Sequence, residues 1–112
     1  MGTIAIKLDP ARLNNPDLDI RYNLSDLIEA ATMGQISADG YDYVEEDNNP
    51  IVVFLKSAQP LEDVKVVLDV LRQNTVCGND LLPVVVVAVS DETGRYVVVH
   101  PPGAAPDFKI DP

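Results

Sequence analysis

Three patterns in the sequence predict an α+β fold of order β-α-β-β-α-β-β, with two helices on one face of a mainly antiparallel sheet. Apolar and polar residues alternate over 4–8, and two later stretches repeat apolar residues at helical spacing. Two branched, apolar runs, 51–56 and 84–90, are bounded by turn residues.

Ile4, Ile6 and Leu8 alternate with Thr3, Ala5 and Lys7, the period of a half-buried strand, which stops at Asp9-Pro10. Residues 13–17 carry turn formers, and 17–22 read as a short helical turn or linker. From there Leu24, Leu27, Ile28 and Ala31 share one arc at 100° per residue, with Ser25, Asp26 and Glu29 opposite. A helix is predicted over 24–33, with Asn23 as its cap and Gly34 supplying the left-handed residue that ends it. Asp39-Gly40 is expected to turn the chain into a strand at 41–44, followed by a polar hairpin loop over 45–50 and a strand at 51–56.

Pro60 suits the first position of a second helix over 61–72, because its missing N–H has no helical partner there. Glu62 and Asp63 in the first turn and Arg72 near the end complement the helix dipole. Leu61, Val64, Val67, Leu68 and Leu71 form the main apolar arc, with Val66 and Val70 outside it, and Gly78 is expected to end the helix. The strands 84–90 and 96–100 then form a hairpin through Asp91-Glu92-Thr93-Gly94. This order matches a ferredoxin-like split βαβ sandwich with one added strand. Phe54, Leu68 and Val86 are expected in its core.

An antiparallel sheet with one wet face should alternate, yet 51–55 and 84–89 are apolar at nearly every position. The residues pointing away from the helices are therefore expected to be covered, by a second copy in a homodimer or by the Pro-rich tail, residues 101–112. A length of 112 residues suits one domain, here 1–100, followed by that tail. Apolar content of 46% and charged content of 23% are those of a folded chain. One cysteine, Cys77, allows no internal disulfide and fits a reducing, cytoplasmic setting. The N-terminus lacks a secretory pattern and no apolar run is long enough to span a bilayer, so no membrane partner is expected.

Eighteen acidic against eight basic residues give a formal charge of −10, which repels phosphate backbones and anionic lipid and attracts basic protein surfaces. Nucleic acid is excluded as an expected partner. The negative charge is densest over 39–49, where Asp39, Asp42, Glu45, Glu46 and Asp47 accompany Tyr41 and Tyr43 without any basic residue. If Tyr41, Tyr43 and Glu45 share a strand face, two aromatic anchors and a carboxylate are displayed together, a composition that binds a basic partner. The simpler alternative is a solvated hairpin whose tyrosines rest on the sheet edge.

Catalytic devices are not apparent. The EF-hand spacing is missing, one Cys and one His do not make a zinc site, and no phosphate-binding glycine loop or serine nucleophile motif occurs. Cys77 and His100 are the one conceivable nucleophile and base, each also explained as an ordinary packing or strand-end residue. The expectation is a protein without catalytic residues, metal or cofactor.

Four stretches, 17–28 (DLDIRYNLSDLI), 39–43 (DGYDY), 54–56 (FLK) and 78–81 (GNDL), resemble small uncharacterised bacterial proteins, some of them similar to immunity proteins of toxin systems. The resemblance implies a format, small, acidic and single-domain, and a possible toxin as the basic partner; it assigns no individual residue a role. The leading expectation is thus a non-enzymatic immunity protein that neutralises a toxin by contact. The alternative is a dimeric ferredoxin-like module with a regulatory or small-ligand-binding role.

Overall fold

The computed structural model describes residues 2–9, 13, 19–43, 50–90 and 95–100. The chain runs β1 (Gly2–Leu8), α1 (Ile20–Ala31), β2 (Ile36–Tyr43), β3 (Ile51–Ser57), α2 (Pro60–Gln73), β4 (Val85–Ser90) and β5 (Tyr96–His100). These strands form one sheet of order β2-β3-β1-β4-β5 in which every neighbouring pair is antiparallel. β1 and β2 are consequently parallel and separated by β3, with α1 as their crossover, so the fold is the α+β split βαβ arrangement with β5 added beside β4.

Strand parity places the core. Ile4, Ile6 and Leu8 of β1, Ile51, Val53 and Leu55 of β3, and Val85, Val87 and Val89 of β4 point to the helix side and are buried. α1 brings Ile20, Leu24 and Ile28 onto β2 and β3, and α2 brings Val64, Val67, Val70 and Leu71 onto β1 and β4. On the other face Ala5 and Val52 form a small second cluster with Phe54 and Tyr96 against it. Among the described residues no helix is long and apolar enough to cross a membrane.

Several boundaries differ from the sequence reading. α1 begins a turn early because Ile20, four residues before Leu24, is 1% exposed and extends the buried stripe. Asp19, not Asn23, occupies the N-cap position. Asn23 lies inside the helix and its Nδ2 donates to Cys77 Sγ at 3.3 Å. Asp39-Gly40 does not precede a strand but interrupts one: the β2–β3 register shifts between Ala38 and Tyr41, and Gly40 takes φ +88°, as a bulge requires. α2 ends at Gln73, ahead of Gly78, which with Cys77 turns the chain at positive φ between the paired Val76 and Asn79.

The α2 arc is also rotated: Leu61 is 66% exposed, whereas Val70 is buried. Asp63 is drawn onto the buried stripe by its hydrogen bonds from Ser57 and Gln35, and Val70 follows it inward at helical spacing. Phe54, Leu68 and Val86, expected in the core, are only half-buried. Phe54 and Val86 have the parity of the second face, and Leu68 lies at the margin of the α2 stripe.

Candidate functional site

β2 is an edge strand, and the first turn of α1 lies over its C-terminal end. Tyr41 and Tyr43, two residues apart, project to the helix side, where they meet Arg21 and Tyr22 from that turn. The Tyr22 and Tyr41 rings stand perpendicular with centroids 5.6 Å apart, and Tyr41 and Tyr43 repeat the geometry at 6.0 Å. Such edge-to-face pairs align the positive ring edge with the negative face of the next ring.

Arg21 ties the three rings together. Its Cζ lies 4.8 Å from the Tyr22 centroid and 5.1 Å from that of Tyr41, and its Nη1 donates to Tyr43 Oη at 2.8 Å. Its Nε is enclosed with no hydrogen-bond partner among the described residues. The Tyr43 hydrogen bond is the main reason the guanidinium is held above its ordinary pKa. The Tyr22 and Tyr41 hydroxyls are 3.3 Å apart. Their mutual hydrogen bond is the main influence on both phenols, holding Tyr22 below its usual pKa, with the Arg21 charge adding to the effect, and Tyr41 above its own. The result is a patch of aromatic surface on an exposed edge, with Tyr22 48% and Tyr43 44% exposed.

Of the predicted acidic residues, the two that are described, Asp39 and Asp42, lie outside the ring cluster. Asp42 has the opposite strand parity, and its Oδ1 accepts the backbone N–H of Tyr43 at 2.8 Å. Asp39 pairs with Lys56 at 3.4 Å, so its charge is locally compensated. Glu45, Glu46 and Asp47 lie outside the described residues; they belong to the six-residue stretch 44–49 that follows Tyr43 and leads toward β3. The structure thus unites Tyr41 with Tyr43 and turns Asp42 away from both.

Arg21 and Tyr22 are the site residues that sequence reasoning missed. The available signal was Ile20, whose spacing from Leu24 and Ile28 extends the helix back by one turn and puts Arg21 and Tyr22 on it. Cys77 accepts from Asn23, while His100 Nε2 lies 2.7 Å from the Leu82 carbonyl oxygen, so each has its own partner. An open polar depression of about 470 Å³ at the C-terminal end of α2 is lined by Arg72, Gln73, Asn74, Thr75 and Asp80. Among the described residues no group of three or more His, Cys, Asp or Glu side chains is placed to hold a metal ion.

The fold and the patch together describe an α+β sheet protein with a tyrosine and arginine surface at one edge. Comparisons of the chain with protein-family models, curated proteins and solved structures gave no match.

Proposed function

We propose that this chain is a non-enzymatic binding protein of the immunity type, which neutralises a cognate toxin by covering a basic site on it. The observation that carries the reading is the Arg21-Tyr22-Tyr41-Tyr43 cluster on an exposed sheet edge. Tyrosine and arginine are the side chains that most often anchor protein interfaces, since they present rigid apolar area with a polar rim. Arg21 holds the rings in one arrangement before a partner arrives, which lowers the ordering cost of association. The acidic sequence that follows Tyr43, with a net charge of −10 for the whole chain, supplies long-range attraction to a basic partner.

The test is co-purification of the chain with a basic protein, followed by affinity measurement on variants. Tyr41→Ala with Tyr43→Ala is expected to weaken the complex by about 30-fold or more, the equivalent of one interface anchor. Glu45, Glu46 and Asp47 changed together to Lys are expected to slow association at low salt while leaving the melting transition in place. Unchanged affinity in the tyrosine variant overturns the assignment of this surface.

A further inference from the structure

Arg21 stands in the tyrosine cluster without a counter-ion. The chain has eighteen acidic residues against eight basic ones, yet among the described residues no carboxylate forms an ion pair with Arg21. Asp39 is paired with Lys56, and Asp42 has the opposite strand parity, with its Oδ1 on the Tyr43 N–H. We propose that the Nη end of Arg21 and the tyrosine hydroxyls around it seat one carboxylate, from a glutamate or aspartate side chain of the partner protein. The inference rests on the reading of this patch as a protein interface and adds what that interface selects.

The hydrogen bonds inside the cluster leave donors unspent. Tyr43 Oη accepts from Arg21 Nη1, so its own hydroxyl hydrogen has no acceptor among the described residues. Tyr22 and Tyr41 share a single hydrogen bond between two hydroxyls, which leaves the second hydrogen over. Arg21 Nε is enclosed, so the Nη groups are the end of the guanidinium that a ligand meets. Two ring faces, with centroids 4.8 and 5.1 Å from Cζ, hold that end in place. N–H and O–H donors gathered around one fixed positive charge fit an oxyanion, because charge-assisted hydrogen bonds are roughly twice as strong as neutral ones.

Charge and shape decide which oxyanion. The chain's net charge of −10 repels a phosphate dianion twice as strongly as a carboxylate, and one guanidinium neutralises only one of its charges. The same net charge opposes a second copy of this chain as the source. Tyr22 is 48% and Tyr43 44% exposed, so the cluster is an open surface that buries little of a free organic acid. A carboxylate borne on a protein brings the remaining contacts with it. Such a contact supplies what long-range attraction does not: a charge of −10 draws in any basic protein, and only one that presents an acid opposite Arg21 satisfies the cluster.

The full chain, without a partner, tests the seat with N-acetylglutamate methylamide, followed by nuclear magnetic resonance at constant ionic strength. The Arg21 Nε–H and Tyr43 amide signals are expected to shift saturably, with half-saturation on the order of 10 mM, while the matching glutamine compound leaves them in place. Arg21→Lys keeps the charge but loses the planar fork, and is expected to raise the half-saturation about tenfold with the Val53 core signal unchanged. Tyr43→Phe, which keeps the ring and removes one hydroxyl, is expected to raise it about threefold. Equal binding of the glutamine compound, undiminished binding in both variants, or tighter binding of inorganic phosphate overturns the proposal. So does the absence of any saturable shift in the native chain. If Tyr41→Ala with Tyr43→Ala nevertheless weakens the complex with the basic partner, the interface stands and the carboxylate seat alone falls.

Discussion

Replacing Asp63 by Ala is expected to cost about 3 kcal/mol, a large loss for a polar residue. Asp63 is 5% exposed and lies in the first turn of α2. The buried Ser57 hydroxyl donates to its Oδ2, and Gln35 Nε2 donates to Oδ1 at 3.0 Å. Ser57 Oγ in turn accepts the backbone N–H of Gln59 at 3.0 Å, at the N-cap position of α2. A hydrogen bond to a charged group contributes about 1.5–3 kcal/mol. Ser57 is 2% exposed, so its O–H left without an acceptor accounts for about 2 kcal/mol even while the oxygen still accepts from Gln59, and exposed Gln35 turns to water at a cost nearer 1 kcal/mol.

Asp63→Asn is expected to lose only about 1 kcal/mol, since its amide oxygen still accepts from Ser57 and its NH₂ can donate to a rotated Gln35 amide oxygen. Urea unfolding of Asp63→Ala, Ser57→Ala and the double variant completes the argument. The two single losses are expected to exceed the double loss by about 1–2 kcal/mol, because each removes the same bond. A loss below about 0.5 kcal/mol for Asp63→Ala, or additive single losses, refutes the network as a stabilising unit.

Gly2→Ala is expected to destabilise by about 1–3 kcal/mol in the same assay, because a Cβ at Gly2 comes 2.5 Å from the Pro60 ring and 3.2 Å from the Ser90 carbonyl oxygen. Leu55→Ala is expected to cost about 3–4 kcal/mol and Leu68→Ala less than half of that; equal losses contradict the placement of Leu55 in the core and Leu68 at its margin. Tyr96 has a pKa raised by burial above the ordinary tyrosine value of 10.0, partly offset by its hydrogen bond with Thr3. The unfolded chain therefore ionises first, and stability contributed by the neutral phenol is present below pH 10 and lost as pH rises through the folded value. Unfolding followed across the alkaline range is expected to show a shallower decline in Tyr96→Phe than in the native chain.

How much of this was legible in the sequence follows from the range of each interaction. Periodicity is local: alternation identified β1, the apolar arcs identified both helices, and the turn residues ahead of Tyr96 identified β5 with the bounds the structure shows. Composition likewise established the charge of −10 and the acidic stretch after Asp39. The sequence also showed that two strands lack a polar face, since non-alternation is visible without knowing which strands are neighbours.

Only the tertiary structure decided which residues meet. Phe54 and Val53 look alike in a run of apolar residues, and pairing to β1 sends Val53 into the helix-side core and Phe54 to the opposite face. Asp63 reads as a solvated helix-dipole residue until Ser57 and Gln35 are brought to it from other parts of the chain. The candidate site behaves the same way: Tyr41 and Tyr43 were evident from their spacing, but Arg21 lies about twenty residues away in sequence and reaches them because β2 pairs with β3 and α1 folds back across that edge. Spacing along the chain specifies which side of an element a residue occupies; the neighbour across from it is chosen by long-range pairing, which no local pattern encodes.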